Sequence, residues 1–339
     1  MAAVNNLRAP RVSVLADGMP LGGVESIEVS ANDHRAADRF VVRLAAPLSV
    51  AGELAANGMV LDLRVSVDAV PGWTSLIQGA PDLIEADPLR GTVTVHGRDL
   101  SARFIDAPIS ELFANMTASE IVEALAARHG IPVQAVTTVG LAGRQFQDGR
   151  AELGLNRSAA ALSQWDMMTG LAESEGYDLF MDGGTLCFRP AEDAGSVMLT
   201  PGNCLQLRLS LAPALADPLV LVRTWDARLG EARDYTLGGG GKTGGGGQAR
   251  RHVLVRPNLG QSDGKRLAKT TRASLLRHAR TATLRMPADA VITARHSVVL
   301  SGAGMFDGRY DVGEISRTLD VESGFTQRLS LVSPDEEES

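Results

Sequence analysis

"LIEADPLRGTVTVHGRDL", residues 83–100, and "EISRTLDVESGFTQRLSL", residues 314–331, read alike. Each runs strand, polar turn, glycine, strand. The separations differ by two residues, so the echo is loose. Still, two related β-regions with something different between them is the simplest organisation it suggests.

The stretch up to Asp106 reads as β. "VSVLADGMPL" places Asp17-Gly18 between two apolar runs, a hairpin signal. "LDLRVSVD" alternates, with Leu61, Leu63, Val65 and Val67 on one face and Asp62, Arg64, Ser66 and Asp68 on the other. That predicts a strand with one wet side. "GTVTVHG" follows in the same style. Short strands separated by Gly, Pro and Asp suggest an antiparallel sandwich or barrel.

The period then changes. "TASEIVEALAARHGIP" is a helix with a Thr117–Glu120 capping box and a stop at Gly130 and Pro132. "SAAALSQWDMMTGLAESEG" predicts a second helix, with Ser158 as N-cap, Leu162, Trp165, Met168 and Ala172 on one face, and Gly176 as the stop. "YDLFMDGGTLCFRP" turns at Asp182-Gly183-Gly184. From about Leu199 the chain returns to β, interrupted by one helix over 262–278 with Leu267, Thr271 and Leu275 one turn apart. The expected fold is mainly β with an α+β insert. The expected domains are 1–106 and 199–332 (both β, the second with one helix), the insert 107–198, and a disordered acidic tail 333–339.

At 339 residues the chain has room for two or three domains. Hydrophobic content of 44% against 22% charged permits real cores, and with aromatics at 4% the packing falls to aliphatic residues. A net charge of −7 argues against a generic nucleic-acid binder. Cys187 and Cys204 form no CxxC pair, which excludes a zinc ribbon or iron–sulfur cluster built from these thiolates alone; of the two remaining states, a single disulfide or two buried thiols, the thiols are expected. No signal peptide and no bilayer-spanning apolar run is visible.

Four constellations invite chemistry. "TLGGGGKTGGGGQARR", residues 236–251, resembles a phosphate-binding loop at Gly241, Lys242 and Thr243, but Thr236 stands where the first glycine belongs. Four glycines, Gly244 to Gly247, follow where a helix should start. A loop between strands near Tyr235 and Val253 is the plainer reading. "GQSDG", residues 260–264, matches a nucleophile elbow at Ser262, with Asp289 or Asp307 and His296 available for a triad. The plainer reading is that Ser262 or Asp263 caps the following helix. Lys265, Arg266, Lys269, Arg272, Arg277, His278 and Arg280 make that helix basic, but no aromatics are interleaved for base stacking, so a solvated face or an acidic neighbour subunit is expected. Asp99 and Asp106 are expected in turn and capping duty rather than as an acid–base pair. The scattered histidines form no metal pair. Thus no catalytic, cofactor-binding or metal residues are assigned, and no cofactor is expected.

"VTVHGRDLSARFIDAPI", "TASEIVEALAARHGI", "NRSAAALSQWDMMTGLAESEGYDLFMDGGTLCFRP" and "SVVLSGAGMFDGRYDVGEISRTLDVESGFTQRLSL", in that order, resemble the baseplate hub proteins of phage tails, the late control protein D family. That family is similar to the N-terminal hub domain of type VI secretion spike proteins. The resemblance covers about residues 10–332. It implies two tail-tube-like antiparallel β-barrel domains per chain, flanking the helix–helix–hairpin insert. It implies a homotrimer whose six barrels mimic six-fold symmetry. That ring would join the tail tube, or a distal tail protein ring, to a three-fold spike or tip. Its lumen would pass the tape measure protein and then DNA as cargo, with no small-molecule substrate. The implied location is the virion tail, assembled in the bacterial host cytoplasm, with the spike supplied by a separate protein. The Gly-rich segment 238–247 is foreign to the family pattern. Two other readings are a serine hydrolase or peptidoglycan-acting tail enzyme using Ser262, and the hub of a contractile injection system.

Overall fold

The computed structural model describes residues 10–32, 36–56, 58–67, 72–109, 113, 115–142, 163–190, 192, 194–226, 231–238, 251–256 and 259–334. The first region holds β1 (Arg11–Ala16), β2 (Met19–Pro20), β3 (Val24–Asn32), β4 (Arg39–Ala45), α1 (Leu48–Leu54), β5 (Leu61–Ser66), β6 (Thr74–Asp87) and β7 (Thr92–Asp99). Next come α2 (Ala102–Ile105), α3 (Ala118–Arg128), β8 (Val133–Ala135), α4 (Gln164–Glu175), β9 (Tyr177–Asp182) and β10 (Thr185–Pro190). The last region holds β11 (Ser196–Leu199), β12 (Gln206–Leu211), β13 (Leu219–Asp226), β14 (Glu231–Leu237), β15 (Arg251–Val255) and α5 (Gln261–Leu276). It closes with β16 (Arg280–Pro287), β17 (Ser297–Leu300), β18 (Gly308–Asp320) and β19 (Gly324–Val332). The chain is mainly β with an α+β insert.

The two echoing stretches are the hairpins β6–β7 and β18–β19, each with a bulge part-way along its pairing. The likeness extends beyond them. Strands of the first region pair in the order β1-β5-β6-β7-β4-β3, and those of the last in the order β11-β17-β18-β19-β16-β12. One six-strand topology occurs twice, with one departure: β11 joins β17 in parallel, whereas β1 joins β5 antiparallel. The two copies meet edge to edge. β3 pairs antiparallel with β18, placing Ile27 opposite Leu319 and Asn32 opposite Glu314. Among the described residues the result is a continuous sheet of thirteen strands.

Alternation explains the core. Phe40, Val42 and Leu44 on β4 and Val93 and Val95 on β7 point to one side and are buried, at about 1.5–3 kcal/mol for each such side chain. The second copy buries Leu284, Tyr310, Ile315, Leu329 and Leu331 in the same manner. Ala288 and Ala290, from the β16–β17 connection, and Phe325 pack into the first copy's core, so the halves interlock.

Between the copies sits the α+β unit. Thr117 caps α3 and Glu120 returns the bond, as the sequence predicts. The cap of α4 is Ser163, in a capping box with Asp166; Ser158 and Leu162 lie outside the described residues. Gly176 ends α4 in the left-handed conformation at φ 69°. The β9–β10 hairpin turns through Gly183 and Gly184. A Cβ on Gly184 would lie 2.7 Å from Gln78 Oε1, so this turn seats closely on β6. The wet face expected for β5 is therefore not wet. Asp62 and Ser66 are buried, and Asp62 accepts hydrogen bonds from Ser75 Oγ (2.7 Å), Arg64 Nε (2.7 Å) and Gln78 Nε2 (3.2 Å). Tertiary packing overrides the alternation there.

The last region also holds a small separate core. β14-β13-β15 form a three-stranded sheet under α5, with Val220, Val222 and Ala268 at its centre and Leu267 and Leu275 against them. The helix starts at Gly260, which caps it without a side chain, so Ser262 and Asp263 fall in its first turn and do not cap it. It ends at Leu276; Arg277 is its C-cap, and Arg280 belongs to β16, with its guanidinium 5.4 Å from the Tyr310 ring centroid.

Candidate assembly interface

Among the described residues, the duplicated sheet leaves two of its long edges open. β12 is hydrogen-bonded there on one side only, to β16. β6 pairs with β5 over Thr74–Gly79, and its later part, 80–87, pairs with β7 alone. These edges occupy equivalent places. β12 stands to β16 as β3 stands to β4, and β6 stands to β7 as β18 stands to β19. Within the chain, β3 fills the edge of β18 over Glu314–Leu319. An unpaired strand edge is a template for another strand.

The side chains at the two edges differ in charge. β6 offers Asp82, Glu85 and Asp87, and β12 offers Arg208. Across the strands from β12 to β6, the side facing away from the cores is mostly polar: Ser210, Thr283, Ser316, Ser30 and Thr94 alternate with charged residues, and Val41 and Leu83, both opposite His96, are apolar members of it. Its charges are mixed in sign and partly paired, Arg43 to Glu25 at 2.9 Å, His96 to Glu85 at 3.2 Å, and Arg98 to Asp82 at 2.7 Å.

Asp99 and Asp106 are not brought together as a pair. Asp106 is exposed and held below the usual carboxylate range by its bonds to Arg98. Asp99 is buried and accepts from Ser101 N and Oγ, a turn role. Its partner in electrostatics is Asp38, which sequence reading missed. Burial, reinforced by the Asp99 carboxylate, pushes Asp38 up to about 7, and burial raises Asp99 to about 6. Arg317, lowered to about 10 by burial, faces Asp38 and donates to the carbonyls of Asp289 (3.3 Å) and Ile292. No local sequence signal marks this pair; the β4–β7 register brings it together, since Arg39 and Arg98, which follow Asp38 and precede Asp99, are cross-strand partners. These groups sit near the β3–β18 seam and tie the two copies together.

The Ser262 constellation is spread across the fold. Ser262 lies in the first turn of α5, seven residues past the end of β15, on helical backbone rather than in a strand-to-helix elbow. Asp289 accepts from Val291 N, Asp307 from Ala303 N, and His296 Nδ1 is engaged by Thr293 at 2.9 Å. Lys242 and Thr243 lie outside the described residues, but the strands flanking them are placed. β13 separates β14 from β15, and Leu237 and Arg251 stand at the same end of that sheet. Arg272 of the basic helix pairs with Asp217 at 3.4 Å. Among the described residues, no group of His, Cys, Asp and Glu is arranged to hold a metal. Cys187 is buried, Cys204 only half-buried, and both are free thiols.

No family model matches the sequence, and no curated protein matches it. Solved structures do. The tail protein from Neisseria meningitidis superposes with a TM-score of 0.68 at 15% identity, over 96% of each chain. The 43 kDa tail protein of a Shewanella oneidensis prophage gives 0.68 at 16%, over 96% of this chain and 97% of that one. A Francisella PdpA–VgrG complex gives 0.62 at 9%, over 99% of this chain and 60% of that one. The chain has the fold of phage tail proteins.

Proposed function

We propose that the chain is a structural hub of a phage tail. Three copies form a closed ring in which the β12 edge of one copy fills the β6 edge of the next. The observation that carries this is the seam inside the chain: β3 already fills the equivalent edge of β18. With the bulges of β6 and β18, at Asp82 and Gly313, superposed, transferring that register through the repeat sets Arg208 opposite Asp87, Leu209 opposite Ala86, Ser210 opposite Glu85 and Leu211 opposite Ile84 of the next copy. The pairing is antiparallel and puts opposite charges face to face. A head-to-tail contact of this kind builds a ring when its rotation closes. Three chains contribute six copies of the module, matching a six-fold tail tube on one side and a three-fold tip on the other.

In this reading the polar face lines the lumen. The charges there are mixed rather than acidic, so a passing polyanion meets paired ions and hydroxyls instead of a repulsive wall. The domains follow as 1–106, 107–198 and 199–332 with a tail at 333–339, and the partners as tube, tip and tape measure protein. No residue acts catalytically. The mass of the purified chain in solution tests the ring. Three copies of 35.7 kDa, about 107 kDa, are expected, and a stable monomer would contradict it. Ser262→Ala addresses the hydrolase reading: tails should assemble and penetrate as before.

A further inference from the structure

Strand directions in the continuous sheet fix two rims. β6 and β18 run the same way, since each neighbouring pair between them, β18–β3, β3–β4, β4–β7 and β7–β6, is antiparallel. Their hairpin tips therefore leave the same rim. The tips are built alike. Asp87 accepts from Leu89 N and Arg90 N, and Asp320 accepts from Glu322 N and Ser323 N. Gly91 and Gly324, each four residues after its aspartate, close the turns at φ 65° and 67°.

Each tip carries one bare apolar side chain, Leu89 at 97% exposure and Val321 at 92%. Beside each tip the next connection on that rim offers another. Leu48, between β4 and β5, is 60% exposed, and Val291, between β16 and β17, is 58% exposed. Two side chains so exposed, repeated in both modules, have no folding role that burial can supply.

The opposite rim is unlike between modules. There the α+β unit leaves the end of β7, and the three-stranded unit with α5 interrupts the passage from β12 to β16, where the first module has only the short β3–β4 connection. A rim alike in both modules suits a six-fold partner, and a rim different in each suits a three-fold one.

Resting on the ring reading, we propose that Leu89 with Leu48, and Val321 with Val291, form six equivalent apolar contacts that seat a six-fold ring of tube subunits. The other rim then faces the three-fold tip. The probe is the purified tube protein of the same tail, mixed with the intact hub and followed by co-sedimentation. Leu89→Asp and Val321→Asp should each weaken seating by a similar factor, the double variant by at least about tenfold, with the hub's own mass unchanged. Seating by the double variant equal to wild type would overturn the proposal. So would a double variant whose ring falls apart, since the tips would then be ring contacts. A wild-type hub that stays monomeric sinks the ring reading instead. The tip contact is then read on the monomer: loss of tube binding in the double variant supports it, and retention overturns it.

Discussion

Ile27 on β3 stands opposite Leu319 on β18, and this pair lies on the seam where the two copies of the module become one sheet. Ile27 is fully buried in the first core, against which Leu319 also packs. Ile27→Ala should cost about 2–5 kcal/mol. Because the seam and the interlocking Ala288, Ala290 and Phe325 couple the cores, both β copies should unfold together. Two separate calorimetric transitions for them would contradict the coupling.

The acidic pair beside the seam makes a pH prediction. Asp38 titrates near 7 and Asp99 near 6 in the fold, against 3.8 ordinarily, chiefly because burial disfavours their charge. Between those values the folded state holds more protons than the unfolded one, so stability must fall as pH rises from about 4 to about 7. The fall should be several kcal/mol, with about 7 kcal/mol as its ceiling. Asp38→Asn keeps an acceptor for Asn32 and should flatten most of this slope in urea titrations run across that range.

Two helical glycines should respond oppositely to alanine. Gly170 in α4 has open space where a Cβ would go, so Gly170→Ala should stabilise by about 0.5–1 kcal/mol. Gly264 in α5 lies against the Tyr235 ring, and a Cβ there would approach ring atoms to 2.2 Å. Gly264→Ala should therefore destabilise the α5 unit despite its better helix propensity. Equal effects of the two substitutions in thermal melts would refute this packing.

The Gly-rich segment should be replaceable. Its flanking strands end two strand spacings apart, roughly 10 Å, which a few residues can bridge. Exchanging residues 239–247 for a short Gly-Ser turn should shift Tm by less than about 2 °C and change no nucleotide binding. Gly238 must stay: its φ is 85°, and a Cβ would sit 2.3 Å from the Pro218 carbonyl. Nucleotide bound by the intact chain and lost on exchange would revive the phosphate-loop reading.

Much of this architecture is visible in local chemistry. Asp17-Gly18 and Gly183-Gly184 mark their hairpins because positive φ is confined to few residue types. Thr117 and Glu120 mark a helix start because their bond is made within four residues. The Asp87 and Asp320 turns carry the echo that points to duplication. What stayed hidden depends on distant packing. The burial of Asp62 is set by the β9–β10 turn, and the raised Asp38 by its own burial, reinforced by Asp99. The start of α5 at Gly260 leaves no side-chain signal at all. The open edges β12 and β6 become recognisable only once both sheets are ordered.

The central claim is that β12 of one copy fills β6 of the next, and a cross-link tests it most directly. In the transferred register Ser210 lies opposite Glu85, within the Cα separation a disulfide accepts. The chain carrying Ser210→Cys and Glu85→Cys, with Cys204→Ser to remove the half-buried thiol, should be oxidised and run without reductant. The account predicts covalent species of two and three chains and nothing larger. A product that remains a single chain, or a ladder that climbs past three, would contradict it.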